Sequence, residues 1–451
     1  MIVIKKRLIF WLFKAYIKKW GKAIFLSFLL GLIIFFLLKS SFPYIIAAFT
    51  GVSKETIGVV GAYTLDSLPQ SILDDISHGL TKVNPDGTIS PDLATSWDIK
   101  NGGKLYVFHL RNGVHFNDGT LLTSKEISFS FSNVSVSRPN EDTIAYSLKD
   151  PYAPFLVTVS RPIFKSDLVG IGDYRIKKAQ LNGSFLESLT LTSGSASPAL
   201  KIYQFYPTQD ALKVAFVLGE INQALNLSAT TFENTSLEKF PHTQIQKSTD
   251  YTQLVTLFYN TKDKELSNKS LRDALSYAIP NTFPEGERAY SPIPPTSWAY
   301  NQASMRLEDK THAKLLLSAS VGKDLSSMAP FIITTSAKYE SVALAIKDSW
   351  DQIGIKSKVQ ITDTIPPVFQ MYLGSYSIPE DPDQYTLWHS YQENNITNYS
   401  SIRIDTLLED GRKTLDMNQR LKTYQDFQKY LIDDQPATFL YFPYNFTVTK
   451  M

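Results

Sequence analysis

The sequence predicts an α/β body, too long for one core, behind a single N-terminal transmembrane helix. Three observations carry that reading. The chain has 451 residues, beyond the ~250–300 at which a single hydrophobic core stops growing. From Thr56 onward, period-two apolar segments alternate with amphipathic helical ones, the pattern of an α/β chain. Near the N-terminus, the sixteen residues Ala23 to Leu38 contain no charge and are bounded by Lys22 and Lys39.

That apolar run would span ~24 Å at 1.5 Å per residue, a little short of the ~30 Å hydrocarbon core. Snorkelling of the two lysines and continuation through Ser40 to Phe49 close the difference. Lys5, Lys6, Arg7, Lys14, Lys18 and Lys19 precede it, so the positive-inside rule places the N-terminus in the cytoplasm and the body outside. Leu8 to Phe13 reads as an interfacial helix. The alternative, a cleaved signal peptide, meets a long basic segment and a poor cleavage site at Ile46-Ala47-Ala48. We therefore expect an uncleaved anchor, with Lys39 to Lys54 as a tether and the body in the periplasm or at the cell surface.

Hydrophobic residues at 43% and charged residues at 20% describe an ordered globular chain. The chain has no cysteine, which excludes disulfides, thiolate metal sites and cysteine nucleophiles. Nine of its 45 basic residues precede the first acidic one, Glu55, leaving 36 against 43 acidic residues and a net charge of −7. No nucleic-acid surface is expected from that balance.

Ile89 to Phe131 is the most informative stretch. Leu105 to Arg111 alternates as a half-buried strand between the turns Asn101-Gly102-Gly103 and Arg111-Asn112-Gly113. Asp118-Gly119 makes a further turn. Thr123 with Glu126 three residues on reads as a capping box that starts a helix.

Pro91-Asp92-Leu93-Ala94 with Ser96-Trp97, then Phe108-His109-Leu110-Arg111-Asn112-Gly113-Val114-His115-Phe116 and Asp118-Gly119, resemble the signature of the family 5 solute-binding proteins. These are the extracytoplasmic receptors of oligopeptide, dipeptide and nickel ABC importers. The resemblance implies a two-lobed periplasmic-binding-protein-like fold with an extra small subdomain. In that frame residues 1–54 are cytoplasmic segment, anchor and tether, and 55–260 form lobe I, with the subdomain at about 70–160. Residues 261–432 form lobe II, and 433–451 return to lobe I. The implied partners are a peptide or peptide-like ligand and the permease and ATPase of an importer, with the receptor a monomer. The alternatives are a receptor for a non-peptide ligand, such as a metal chelate or oligosaccharide, and an exported interaction or chaperone-like module.

The rest of the chain follows in order. Ile57 to Tyr63 reads as a buried strand and Ser71 to Leu80 as a helix. Glu141 to Pro162 reads as strand, turn and helix. Gly170-Ile171-Gly172 is a tight turn, since no phosphate-loop motif completes it. Lys213 to Leu225 is a helix closed by glycine. Thr252 to Asn260 is a strand, and Tyr259-Asn260-Thr261 followed by Leu271 to Ile279 resembles the family's "F-N-T … V-R-x-A-L-x-Y-A-I". His312 to Ser320, Ser341 to Ile353, Asp405 to Leu415 and Asn418 to Asp433 are helices, and Ala437 to Tyr444 is the last strand.

No catalytic constellation, cofactor motif or metal-ligand spacing stands out; the six histidines are scattered. A non-enzyme is expected. Met371 to Tyr399 has the character of a ligand site, since aromatics and amides on loops give stacking area and orientation. Its candidates include Tyr376, Tyr385, Trp388, His389 and Asn394. The resemblance adds Gly374 and Ser375 from the same segment, Tyr259, and the backbone at Ser67 and Leu68. Peptide-binding relatives carry an aspartate four residues after the counterpart of Gly374, pairing with the ligand's α-amine. Here that position is Ile378, so Glu380 or Asp381 would have to substitute.

Overall fold

The structure, a computed structural model, describes Trp11, Lys14, residues 16–22, 25–32 and Phe36, and then residues 53–194, 199–302, 305–320 and 328–451. Most of the predicted interfacial helix and tether, and both ends of the predicted transmembrane run, lie outside these residues. Of that run, residues 25–32 are helical, with apolar side chains such as Phe28 exposed. Among the described residues no helix is long and apolar enough to cross a membrane.

A twelve-stranded sheet organises the body. Its path runs Ser357–Ile361, Phe331–Thr335, Met371–Ser377, Gln253–Tyr259, Ala437–Lys450, Gln223–Leu227, Ser53–Val60, Ala199–Tyr206, Phe185–Ser193 and Tyr174–Asn182. Thr243–Thr249 and Gly286–Arg288 also pair with Ala437–Lys450. That last strand serves two lobes. Ala437 to Tyr441 pairs with Phe258 to Val255, whereas Phe446 to Thr449 pairs with Leu227 to Gln223. It runs beyond the predicted Tyr444 because Phe446 and Val448 continue the alternation into the first lobe's core. Between its halves Pro443, which has no N–H to give a ladder, accepts the Asp250 N–H at 2.8 Å. The chain therefore crosses between lobes at two adjoining places, near 250 and near 443.

Gln253–Tyr259 shows why the second lobe's strands read as continuous apolar runs. Val255, Leu257 and Tyr259 enter one core and Leu254 and Phe258 the opposite one, so both faces are covered. The helices Lys269–Tyr277, Lys310–Ser320 and Glu340–Asp351 contribute to the first core. Ile402–Lys413 and Met417–Asp434 contribute to the other.

The small subdomain is a separate antiparallel sheet in the order Ala94–Lys100, Leu105–Leu110, Thr143–Leu148, Val134–Asn140. Tyr106, Phe108 and Leu110 point inward, as the alternation predicts. Their core is aromatic: the Phe155 ring lies 4.9 Å from Tyr106 and 5.3 Å from Tyr146. Thr123 to Glu126 departs from the prediction. It forms one turn, closed by the Glu126 N–H donating to the Thr123 carbonyl at 3.1 Å, and no helix follows. The reason is Ile127, Phe129 and Phe131, whose period-two spacing brings all three onto the subdomain core; a helix would keep Ile127 and Phe131 on one face and turn Phe129 to the opposite one.

Two further elements are shorter than read. The first helix is Gln70–Ile76, and the helix Gln209–Leu218 ends at Gly219 with φ 78°. Gln223 to Leu225, read from sequence as the end of that helix, instead open the strand Gln223–Leu227. Gly170 and Gly172 do form a tight turn, pressed on the end of the first helix. A Cβ on Gly170 would sit 2.1 Å from the Ile76 carbonyl oxygen.

Candidate functional site

The loop after Met371–Ser377 is pinned by two arginines. Asp381 receives Arg420 Nη1 at 3.0 Å and Nη2 at 2.5 Å, with both side chains less than a tenth exposed. Asp383 receives Arg412 Nε at 2.7 Å. Burial pushes the Asp383 pKa up, and Arg412 opposes that shift. Arg412 also lies over the Tyr385 ring at 4.0 Å, and its carbonyl accepts the Ala153 N–H of the small subdomain at 2.7 Å. These charges are spent on holding the loop and on joining subdomain to lobe.

Glu380, between the two aspartates, is different. Among the described residues it has no hydrogen-bond or ion-pair partner, and it faces a cavity of about 660 Å³ between the loop and the small subdomain. The opposite wall brings Asp74 and His78 from the first helix and the residues after it, with Lys82 and Arg161. Burial raises the Glu380 pKa, Asp74 adds to the rise, and Arg161 opposes it. Burial likewise raises Asp74, although Gln70 Nε2 donates to it at 2.8 Å. His78 Nδ1 stands 3.4 Å from Asp92, the bond that pushes its pKa up. Lys82 and Arg161 have no ion-pair partner among the described residues. A second space of about 440 Å³ shares Lys82, Val83, Pro379 and Glu380 and extends the cleft toward Tyr251 and Pro294. The cleft is thus elongated, polar, and furnished with unpaired charges of both signs.

Beside it the strand Met371–Ser377 has an open edge. Gln253–Tyr259 covers one edge throughout, but Phe331–Thr335 reaches only Met371 to Leu373 on the other. The register with Gln253–Tyr259 and the Asn260 N–H bond to the Gln370 carbonyl fix which groups face out. Tyr372, Gly374 and Tyr376 bond inward, so Ser375 and Ser377 present N–H and C=O at the open edge.

The predicted site residues divide accordingly. Ser375, Tyr376, Trp388 and Asn394 line one apolar cavity of about 240 Å³ in the second lobe, and Asp381 lines the inter-lobe cleft while bound to Arg420. Gly374 is buried under the Tyr372 ring. Tyr259 is fully buried, its hydroxyl 2.7 Å from Thr438 Oγ1. His389 is 5% exposed, between Asp405 and Glu409 at 3.9 and 3.5 Å. Its ring lies 4.2 Å from that of Tyr385. Ser67 is exposed in a short 3-10 turn, and Leu68 packs in the first lobe's core. Ile378 is nearly buried on the wall of the second space and donates its N–H to the Thr252 carbonyl at 2.8 Å; its aliphatic side chain offers no charge to a ligand amine. Asp74, His78, Lys82 and Arg161 were not singled out from sequence. Asp74, His78 and Lys82 recur every fourth residue although the helix stops at Ile76, while Arg161 is brought to them from a distant segment.

Comparison with known proteins agrees with this architecture. Residues 88–398 match the model of bacterial extracellular solute-binding proteins, family 5. The chain belongs to that family. The probable D,D-dipeptide-binding periplasmic protein DdpA of Escherichia coli is 23% identical over 84% of this chain and 85% of its own length. The oligopeptide-binding protein AppA of Bacillus subtilis is 24% identical over 85% and 83%. Among solved structures, the ABC transporter substrate-binding protein CtaP of Listeria monocytogenes superposes with a TM-score of 0.75 at 20% identity, covering 88% of this chain and 94% of that one. Family membership makes this an extracytoplasmic binding protein with a mixed α/β, two-lobed fold.

Proposed function

We propose that this chain is the membrane-anchored receptor of an ABC importer, and that its ligand is a peptide held in extended form in the inter-lobe cleft. The observation that carries the reading is the open edge at Ser375 and Ser377, which leads into a cleft containing the unpaired Glu380. An extended peptide would add a strand to that edge, taking main-chain hydrogen bonds that need no particular side chain. Glu380, with Asp74 across the cleft, supplies the negative charge that a free α-amine needs, in place of the aspartate absent at Ile378. Asp381 does not, because Arg420 already occupies both its oxygens.

The lobes hinge at the paired crossovers near 250 and 443, and ligand shifts the open–closed balance by binding the closed form better. Ala23 to Leu38 anchors the body, which stands outside the membrane and delivers ligand to a permease. The relatives named for dipeptides and oligopeptides support the ligand class. Mass spectrometry of ligand released from the purified full chain, with a thermal-shift screen of peptides, tests the reading. Binding should stabilise the protein by ~2.7 kcal/mol at a hundredfold excess over Kd. A broad peptide screen without any shift would overturn the receptor assignment. Membrane fractions containing only a chain that starts near residue 49 would overturn the anchor.

A further inference from the structure

The end of the cleft at Glu380 holds more charge than a peptide's α-amine uses. Its cavity of about 660 Å³ lies in the range of whole small-molecule sites, roughly 300–1,000 Å³, and exceeds what an ammonium alone fills. Glu380 faces it from the second lobe, and Asp74, Lys82 and Arg161 face it from the opposite wall. Asp381 and Asp383 also line it but are held by Arg420 and Arg412, and His78 stands against Asp92. Setting those pairs aside leaves two carboxylates and two cations with no ion-pair partner among the described residues.

The cations stand beside the carboxylates. Burial raises the Glu380 pKa, and Arg161 is the cation that opposes the rise. Burial likewise leads the rise at Asp74, and Lys82 is among the groups that oppose it. Each cation is therefore within electrostatic reach of one carboxylate. Lys82 and Arg161 are exposed on the cavity wall, and neither side chain makes a hydrogen bond among the described residues. A ligand that brought only an ammonium would satisfy the carboxylates and meet two like charges. A carboxylate a few bonds from that ammonium removes the mismatch. The Arg161 guanidinium can take it through two parallel N–H bonds, and Lys82 adds a point charge.

We propose that this end of the cleft recognises a ligand residue bearing a carboxylate beside its free amine, with Glu380 and Asp74 on the ammonium and Lys82 and Arg161 on the carboxylate. Two kinds of residue carry that chemistry. One is an α-linked acidic residue at the N-terminus, which brings its side-chain carboxylate. The other is a glutamate linked through its side-chain carboxyl, which keeps α-amine and α-carboxylate together. The inference rests on the peptide-receptor reading and adds the chemical class of the ligand's first residue.

The test is calorimetric titration of the full chain, purified in detergent, with three free-amine tripeptides: Glu-Ala-Ala, its γ-linked isomer and Gln-Ala-Ala. At least one acidic peptide should bind about tenfold or more tighter than Gln-Ala-Ala, and the isomer that leads names the source of the carboxylate. Lys82→Met combined with Arg161→Met should bring that peptide and Gln-Ala-Ala to within about twofold of each other. The comparison on the wild-type chain stands by itself should the double variant fail to fold. Equal binding of all three peptides by the wild type, or a preference that survives the double substitution, would overturn the carboxylate site and leave the peptide reading standing. No binding by any of the three would overturn this inference, and the thermal-shift screen of peptides then decides the peptide reading separately.

Discussion

Asp381 and Arg420 give the sharpest separation between a residue that holds the site and one that touches ligand. The pair is bidentate, and the two side chains are 9% and 5% exposed. Arg420 also donates from Nε to the Gly411 carbonyl at 2.8 Å and lies over the Trp298 ring at 5.5 Å. Arg420→Met keeps most of the volume but leaves the largely buried Asp381 carboxylate without its cation. Breaking one side of a buried pair typically costs ~3–5 kcal/mol, most of it the penalty of the charge left behind. Asp381→Asn is milder, because an amide can still accept from one guanidinium nitrogen. Arg420→Met with Asp381→Leu should cost less than the sum of the separate losses, since no charge is then orphaned. Urea denaturation of the full chain followed by tryptophan fluorescence reads these differences, and Trp298 sits at the perturbed place. The reasoning fails if Asp381→Asn leaves stability within ~1 kcal/mol of wild type while abolishing peptide binding, for Asp381 would then be the ligand's anchor.

Two other outcomes follow from the geometry. Trp388→Ala should cost ~3–5 kcal/mol of stability. Its indole is 2% exposed, packs on Phe258 and Phe439, and donates to Gln384 Oε1 at 2.9 Å; a variant of unchanged stability would place the indole outside the core. Glu380→Gln should weaken free-amine peptides about tenfold or more, a typical effect for a charge that meets a charged ligand group, and leave N-acetylated ones near their wild-type affinity. Because the Glu380 pKa is raised, its charge is present above that pKa and lost as pH falls through it. Amine binding should therefore fade at a higher pH than for an ordinary carboxylate. Equal pH dependence for acetylated peptides would remove Glu380 from the amine's site.

What the sequence alone determined was local. The Leu105 to Leu110 alternation, the turn glycines and the continuous apolar strands report which faces are buried, and burial is written in residue order. The motifs between Pro91 and Gly119 were enough to point to the family, and the missing aspartate at Ile378 was visible without coordinates. Only the tertiary structure decided how charges are used. Asp381, Glu380 and Asp383 are near neighbours of similar chemistry in the sequence. Arg420 and Arg412 arrive from two later helices to neutralise the first and third and leave Glu380 free. The same holds for Tyr259 and Trp388, aromatic residues whose solvent contact depends on what the opposite strand and helices lay over them. It holds for Thr123 to Glu126 as well, where a good local capping pattern gave way to three aromatic and aliphatic side chains needed by one core. Pairing and coverage are made by segments up to hundreds of residues apart, so no window along the chain contains them.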